Sequence, residues 1–317
     1  MQPRKLILDC DPGHDDAVAI LLALASPAEL ELLGITCVAG NVPLSLTSRN
    51  ALKICELAGR SDVGVYAGAD RPMVRSLVTA EAVHGVSGLD LPDERRLPEP
   101  TMRLRDQHAI DFIIDTLLAH PAGAVTVCPI GPLTNIALAM RRAPEIVPKI
   151  REIVLMGGAA INPSNVTPVA EFNIYVDPHA ADVVFRSGVP LTMMGLDVTH
   201  QVLVTPERIE TIRSCGGQTA RVVADLLSFY CRYDRSRYGT DGGPLHDPCV
   251  IAHLVDPALF ACRHVNVQIE IASPLTLGQT VADWWQATEA QANCHVAYAV
   301  DDEAFFSQLT QKLSTLP

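Results

Sequence analysis

The chain has 317 residues, of which 48% are hydrophobic and 19% are charged, a globular composition that argues against a disordered protein. Its formal net charge of −12 argues against a nucleic-acid partner, because phosphate backbones bind basic surfaces. The first apolar run is too short for a signal peptide, no run is long enough to span a membrane, and the nine cysteines lack Cys-x-x-Cys spacing. We therefore expect a cytoplasmic protein with reduced thiols and no membrane partner.

Short apolar runs alternate with helical patterns along the first two thirds of the chain. The predicted strands are 5–10, 32–38, 63–66, 125–129, 152–156 and 190–195. The predicted helices are 15–25, 43–58, 108–119, 132–142 and 178–187. Strands that are apolar throughout are buried on both faces, so this alternation predicts an α/β fold with an open, mostly parallel central sheet and helices on both faces. We expect one domain over residues 1–317.

Three other stretches follow different patterns. Residues 70–106 are rich in Pro, Arg and Glu with weak periodicity, which indicates a long excursion that forms a lid or an edge insertion. Residues 205–238 have a helical pattern that is clearest over 221–229. The tail, about 264–313, holds alternating segments such as 265–269 and ends in a predicted helix.

Four aspartates lie within residues 9–16, which read Asp-Cys-Asp-Pro-Gly-His-Asp-Asp directly after the first predicted strand. A helix dipole favours one or two carboxylates near its start, but not four. So much negative charge at a buried strand end indicates a hard cation with oxygen ligands. Asp15 and Asp16 would point about 100° apart on a helix, so one can bind the metal while the other binds a ligand hydroxyl. Asp11 can approach the same metal from the strand, and Asp9 can support the site from behind through hydrogen bonds.

Polar residues also follow the other predicted strands, and ligands of parallel sheets bind at these carboxyl ends. Asn41 follows the second strand. Glu171, Asn165 and Asn173 offer donors and acceptors suited to a polyhydroxylated ligand, although an ordinary turn-rich loop is the alternative. Residues 131–135 lack the Lys and the spacing of a P-loop, so we interpret them as a strand–helix junction whose preceding carbonyl faces the site.

His246 and Asp247 lie in a Gly-Gly-Pro-Leu-His-Asp-Pro segment. Alone, this segment indicates a surface turn with an aspartate at a helix N-cap. With a metal site elsewhere, His246 becomes a candidate acid and Asp247 a distant metal ligand. His84 and Tyr238 are isolated features, which are more often structural than functional.

Together these motifs resemble the signature of the nucleoside hydrolases, the inosine–uridine-preferring ribonucleoside hydrolases, and in particular their bacterial pyrimidine-preferring subgroup. The resemblance covers nearly the whole chain, at residues 9–17, 38–41, 84–85, 131–135, 156–159, 170–173, 196–199 and 245–248. It implies a Rossmann-like nucleoside hydrolase fold. It also implies Ca²⁺-dependent hydrolysis of the N-glycosidic bond of ribonucleosides to free base and ribose, with uridine and cytidine as the expected substrates. A salvage role and a homotetramer are implied as well.

The resemblance also implies roles for individual residues. One Ca²⁺ per subunit would be held by Asp11, Asp16, Asp247 and the main-chain carbonyl of Ile130. The ribose would contact Asp15, Asn41, Met156, Asn165, Glu171 and Asn173, and the base would lie near His84, Phe172, Tyr238 and His246. Asp11 would take a proton from calcium-held water, and His246 would donate one to the leaving base. Asp234 stands where the subgroup has another polar residue at the base, so a preference for pyrimidines, for purines or for neither stays open.

Two alternatives compete with this interpretation. Asp9-Cys10-Asp11 mimics the Asp-x-Asp of haloacid-dehalogenase-like phosphatases, but Gly13 stands where that family has Thr or Val. A calcium-dependent nucleoside-binding protein of the same fold would bind uridine without consuming it. Release of ribose from uridine, as opposed to phosphate from a phosphomonoester, separates these possibilities.

Overall fold

A computed structural model describes residues 2–317 of the chain, apart from the side chain of Tyr238. Its strands are Arg4–Cys10 (β1), Leu30–Cys37 (β2), Val65–Ala67 (β3), Val125–Pro129 (β4), Ile150–Met156 (β5), Leu191–Met194 (β6), Leu203–Val204 (β7), Gly243–Pro244 (β8), Phe260–Val265 (β9), Val267–Ile269 (β10), Thr280–Ala282 (β11) and Cys294–Val300 (β12). The six strands predicted in the first two thirds of the chain are all present, with ends shifted by at most two residues.

Eight of these strands form one open sheet in the order β3-β2-β1-β4-β5-β6-β12-β9. Neighbouring strands are parallel except for β9, which runs antiparallel to β12 at the edge. The expected open, mostly parallel sheet is therefore confirmed. The alternating segment 265–269 divides at Asn266, because β9 joins the large sheet while β10 pairs with β11 in a separate ribbon.

The helices are His14–Leu24 (α1), Leu44–Leu57 (α2), Glu81–His84 (α3), Ala109–Ala119 (α4), Thr134–Arg142 (α5), Phe172–Val176 (α6), Pro178–Phe185 (α7), Leu196–Thr199 (α8), Pro206–Ser214 (α9), Gln218–Tyr238 (α10), Pro248–Val255 (α11) and Asp302–Leu313 (α12). The predicted helical stretch 205–238 is two helices, α9 and α10, with Gly216 and Gly217 between them. The excursion at 70–106 holds only α3 and one short 3₁₀ turn, as its weak periodicity indicated. No helix within residues 2–317 combines the length and the apolar character needed to cross a membrane.

Apolar residues are buried on both faces of the sheet. Along β1, Leu6 and Leu8 belong to one core cluster together with residues of α1 and α11, while Ile7 belongs to a second cluster with residues of α4 and α5. This alternation follows from the two-residue period of a strand. Because helices cover both faces, ligands reach the sheet only at its ends, and the carboxyl ends carry the polar residues described next.

Candidate active site

A cavity of about 640 Å³ opens at the carboxyl ends of the central strands. It brings together many residues that the sequence analysis singled out: Asp15, Asn41, His84, Ile130, Met156, Asn165, Glu171, Phe172, Asn173, His246 and Asp247 all line it. Asp11 and Asp16 do not line the cavity, and each is fully buried. The side chain of Tyr238 lies outside the described part of the chain, so its predicted contact with the base stays a prediction.

Three carboxylates meet where α1 and α11 begin. Oxygen atoms of Asp15, Asp16 and Asp247 all lie within 4.8 Å of one another, and the three residues are buried. Asp247 occupies the N-cap position of α11, but its side chain makes no capping hydrogen bond. The helix-capping alternative therefore does not explain Asp247. The resemblance divided Asp15 and Asp16 between ribose and metal, whereas both offer an oxygen to this cluster.

Asp16 is held by main-chain and side-chain donors around it. Its Oδ1 accepts a hydrogen bond from Asp11 N at 3.1 Å, and its Oδ2 accepts from Gly13 N at 2.9 Å and Asn41 Nδ2 at 3.1 Å. These bonds fix the carboxylate in one orientation. Asn41, expected at the ribose, therefore also organises the aspartate cluster.

Asp11 is bound through only one of its two oxygens. Asn41 N donates to Oδ2 at 2.7 Å, while Oδ1 is buried and finds no hydrogen-bond partner in the described residues. Gly40 and Gly131 crowd this carboxylate, since an added Cβ at Gly131 would lie 2.3 Å from Oδ1 and one at Gly40 would lie 2.0 Å from Oδ2. A buried, unpartnered carboxylate oxygen is costly unless it binds something that is positive or donates a proton.

The electrostatics of the cluster indicate the same need. Burial raises the pKa of Asp15 to about 8 and also raises that of Asp16. The pKa values of Asp11 and Asp247 lie well above the usual range for the same reason, and neighbouring carboxylates raise them further. The donor set is all oxygen and all acidic, which fits a hard divalent cation and does not fit a soft metal.

The carbonyl of Ile130 is placed to complete such a site. Ile130 follows β4 and lines the cavity, and its carbonyl oxygen accepts a hydrogen bond from Asn173 Nδ2 at 2.8 Å. A carbonyl oxygen has a second lone pair, so this bond leaves room for a cation. The residues present therefore fit the metal that the resemblance implies.

The polar loop beside the cluster is ordered by its own hydrogen bonds. Glu171 accepts from Gly158 N at 2.9 Å, Asn173 N at 3.0 Å and Ile174 N at 3.2 Å, which caps α6. Burial raises the pKa of Glu171 to about 7. Asn165 Oδ1 accepts from Phe172 N at 3.1 Å. The loop is thus a turn structure that also presents polar groups to the cavity.

Asp197 supports a neighbouring loop, a role that the sequence alone did not reveal. This buried residue of α8 accepts hydrogen bonds from the main-chain N–H groups of Ala160 at 2.7 Å, Ile161 at 2.9 Å and Asn162 at 2.8 Å. The loop that it holds continues into residues 162–166, which line the cavity. Asp197 is far in sequence from the three N–H groups that it accepts, so no local sequence pattern predicts these hydrogen bonds.

His84 is held at the cavity wall by the start of α1. Its Nδ1 accepts a hydrogen bond from the main-chain N–H of His14 at 3.2 Å, so the proton of the neutral ring is assigned to Nε2. Only glycine fits at position 13, because an added Cβ would lie 2.4 Å from His84 Nδ1. His14 stacks on His84 with ring centroids 5.4 Å apart. Burial holds the pKa of His84 well below its usual value.

His246 lies on another wall of the cavity, directly before Asp247. Its Nδ1 is 2.7 Å from Thr199 Oγ1. Burial, followed by the nearby His200, lowers the pKa of His246 to about 3. The neutral ring can donate a hydrogen bond but does not begin as an imidazolium near pH 7.

Asp9 supports the site from behind, as predicted. Its Oδ1 accepts hydrogen bonds from Thr36 Oγ1 at 2.6 Å and Asn135 Nδ2 at 2.8 Å. Asn135 Nδ2 also donates to Cys37 O at 3.0 Å. These bonds tie β1, β2 and α5 together below the cavity, which confirms that residues 131–135 form a structural junction.

One face of α10 forms an outer wall of the cavity; the resemblance implied Asp234 at this wall, but not Tyr230, Tyr233 or Arg237. Its cavity-lining residues are Tyr230, Tyr233, Asp234 and Arg237. Their spacing of three, four and seven residues places them on one side of a helix. The spacing can be recognised as a cavity-lining face only when the helix is known to lie beside the cavity.

Comparisons with known proteins agree with this geometry. The family model described as inosine-uridine preferring nucleoside hydrolase matches residues 6–307. The chain is 50% identical over 313 residues to an uncharacterized protein of Schizosaccharomyces pombe, covering 99% of this chain and 100% of that one. It is 48% identical over 312 residues to a protein of Shewanella sp. (strain ANA-3) named pyrimidine-specific ribonucleoside hydrolase RihA, covering 98% of this chain and 96% of that one.

A solved structure gives a further comparison. A purine-preferring ribonucleoside hydrolase from Gardnerella vaginalis superposes with a TM-score of 0.91 at 38% identity and covers 98% of each chain. The relatives thus share the fold and differ in the bases that their names specify. With a family match over nearly its full length, the chain belongs to the inosine-uridine preferring nucleoside hydrolases.

Proposed function

We propose that this protein hydrolyses the N-glycosidic bond of ribonucleosides with the help of Ca²⁺, prefers uridine and cytidine, and releases free base and ribose. As a member of its family, the chain is a hydrolase that acts on N-glycosyl compounds. The observation that carries the proposal is the buried Asp11 carboxylate, which has one unpartnered oxygen beside a cluster of three further buried aspartates. The 48% identity to a relative named as pyrimidine-specific supports the base preference.

The metal ligands would be Asp11, Asp16, Asp247 and the carbonyl oxygen of Ile130. Bound calcium would supply positive charge to the cluster and acidify water less strongly than zinc does. The raised pKa values of these carboxylates support this assignment, because each is costly to ionise without a cation. Asp15 is close enough to join the cluster, and we propose that it binds ribose hydroxyls from the cavity side.

Asp11 would act as the general base. Asn41 N holds its Oδ2, which leaves Oδ1 to take the proton of the attacking water. A base held in place by its neighbours loses little entropy at the moment of reaction.

The ribose would be bound by Asp15, Asn41, Asn165, Glu171 and Asn173, with Met156 packing near the sugar. The transition state has oxocarbenium character and a flattened ring. Contacts to the sugar speed the reaction only where they strengthen as the ring flattens. Hydrogen bonds to Glu171 from Gly158 N and Asn173 N, and from Asn173 Nδ2 to Ile130 O, orient these two side chains, which supports such a role.

The leaving base would lie against His84, Phe172 and His246, and Tyr238 is proposed to contact it as well. Both histidines have lowered pKa values, so each acts as a neutral ring donor near pH 7. His246, which the resemblance implies as the proton donor, would as a neutral ring donate a hydrogen bond and not a proton, so the base would leave as an anion and take its proton from water; its Nδ1 lies 2.7 Å from Thr199 Oγ1. A hydrogen bond to the departing base stabilises the charge that it gains as the bond breaks.

Substitution of Asp11 tests the proposal directly. We expect wild-type protein with Ca²⁺ to release ribose from uridine, and Asp11→Ala to lower turnover at least about a thousandfold while the protein stays folded. Circular dichroism and the unfolding midpoint monitor the fold. Near-normal ribose release by Asp11→Ala would refute the role of Asp11, and binding of uridine without hydrolysis by the wild type would favour the nucleoside-binding alternative.

We further propose a cytoplasmic homotetramer that acts in nucleoside salvage. The support is the resemblance to the family. Light scattering on the purified protein tests the assembly, since a monomeric mass at micromolar concentration would contradict it.

A further inference from the structure

A pair of histidines lies at the edge of the central sheet, away from the cavity. His295 on β12 and His264 on the edge strand β9 are directly opposite each other in the antiparallel pair. His295 is the second residue of β12, which runs parallel to β6, so the pair lies at the amino ends of the parallel strands. The aspartate cluster and the cavity lie at the carboxyl ends, so the two places are at opposite ends of the sheet.

The two imidazole rings lie side by side. Their centroids are 4.4 Å apart, and their planes differ by 17°. Residues directly opposite each other on antiparallel strands have Cβ atoms about 4.5–5.5 Å apart, so the contact follows from the register of the strands. The pairs Cys294 with Val265 and Val296 with Arg263 fix this register on either side. The main chain therefore holds the two rings together without help from other side chains.

Both histidines are exposed, and the fold does not use their ring nitrogens. Ala297 faces the same side of the sheet as His295 and is fully buried, so the cover of this face ends between the two positions. Neither ring has a hydrogen bond or an ion pair with another residue in the part of the chain that the structure describes. Partial burial, followed by the nearby His264, lowers the pKa of His295, so its ring is neutral at pH 7 and keeps a nitrogen lone pair.

We propose that His264 and His295 form a second metal site, which binds one divalent transition-metal ion such as Ni²⁺ or Zn²⁺. Imidazole nitrogen suits these ions, whereas Ca²⁺ prefers oxygen ligands, so the site differs in chemistry from the aspartate cluster. Two nitrogens bound to one such ion at about 2.1 Å lie about 3.0–3.4 Å apart. Two adjacent exposed rings reach this spacing by small rotations about their side-chain bonds. The bound ion would link the edge strand β9 to β12 and leave its other positions to water.

Calorimetric titration with Ni²⁺ tests the proposal. Untagged protein is freed of metal by chelation, returned to saturating Ca²⁺ and titrated with NiCl₂. We expect one Ni²⁺ per chain, and we expect His264→Gln and His295→Gln each to weaken its binding at least about tenfold, because each removes one of two protein ligands. The absence of Ni²⁺ binding up to millimolar concentration, or equal binding by the wild type and both variants, overturns the proposal.

His120→Gln is the matched control, because it removes a histidine from a different element. His120 directly follows α4, and its Nδ1 lies 2.8 Å from Thr116 O. This variant should bind Ni²⁺ as tightly as the wild type. A loss of affinity equal to that of His264→Gln would mean that the ion binds histidines without preference, and it would overturn the pair as the site.

A crystal of the wild-type protein soaked in Ni²⁺ locates the ion without any substitution. The anomalous peak should lie about 2.1 Å from one nitrogen of each ring. A peak that contacts only one of the two rings, or a peak at the aspartate cluster alone, overturns the proposal. His264→Gln should hydrolyse uridine at the wild-type rate, since the pair lies at the other end of the sheet from the cavity. The metal site and the hydrolase function are therefore tested independently.

Discussion

The two carboxylate oxygens of Asp11 have different environments. One oxygen accepts from Asn41 N and sets the orientation, and the other stays without a partner in the described residues. Two glycines, Gly40 and Gly131, give this carboxylate its space. Their missing side chains are therefore part of the site, although neither glycine has a polar side chain to contribute.

Replacement of Gly131 by alanine tests this point at the residue scale. The new Cβ would lie 2.3 Å from Asp11 Oδ1 and 3.1 Å from Asp11 N, so the carboxylate must move. We expect turnover of uridine to fall about a hundredfold, because a displacement of about 1 Å at a catalytic group has such an effect. Steady-state kinetics with uridine provide the measurement.

Gly216→Ala is the control, since its Cβ would meet nothing closer than 3.2 Å and lies outside the cavity. It should keep wild-type turnover. If Gly131→Ala also keeps full turnover, the carboxylate of Asp11 does not need its present position.

At the scale of secondary-structure elements, side chains at helices fix the loops beside the cavity through hydrogen bonds. The four-residue helix α8 carries Asp197, whose carboxylate accepts the N–H groups of Ala160, Ile161 and Asn162. Glu171 caps α6 in a similar way. In both places a buried carboxylate replaces regular secondary structure as the acceptor for main-chain donors.

Asp197→Ala should release the loop 160–166. Three main-chain donors would lose their acceptor, and the loop carries Asn162 and Asn165, which line the cavity. We expect KM for uridine to rise about tenfold or more, with a smaller change in kcat, because substrate binding must now order the loop. The measurement is again steady-state kinetics.

Asp182→Ala controls for the loss of an ordinary aspartate, since Asp182 pairs with Arg186 at 2.6 Å within α7. That variant should bind uridine normally. A normal KM in Asp197→Ala would mean that the loop holds its shape without this carboxylate.

At the scale of the whole molecule, the aspartate cluster joins distant parts of the chain. Asp15 and Asp16 belong to α1, whereas Asp247 directly precedes α11 in the C-terminal third of the chain. A cation bound here would bind only the folded protein and so stabilise it. The central sheet draws strands from both parts of the chain.

Calcium should therefore raise the midpoint of a single thermal unfolding transition. At a concentration of a hundred times Kd the gain is about 2.7 kcal/mol, which corresponds to several degrees for a protein of this size. Scanning calorimetry of chelated protein with and without added Ca²⁺ measures it. Asp247→Asn should lose most of the shift, and an unchanged midpoint in the wild type would contradict the calcium site.

Local sequence was enough to predict the main architecture. Apolar runs such as 5–10 and 125–129 must be buried on both faces, so they predicted parallel strands covered by helices, and these are present as β1 and β4. The alternating segment 265–269 is divided between two sheets, because pairing partners and not local alternation decide where a strand ends. Asp9, Asp11, Asp15 and Asp16 indicated a cation site because their charge density is a local property.

The sequence by itself determined the strand–helix alternation, the acidic cluster and, through its motifs, the family. Only the tertiary structure decided that Asp15 lies in one cluster with Asp16 and Asp247, that His14 N fixes the ring of His84, and that Tyr230 and Tyr233 of α10 line the cavity. Each of these relations joins residues far apart in the chain, and no local pattern encodes the distance between them. Burial then sets their chemistry, since the same carboxylates would have ordinary pKa values on an exposed loop.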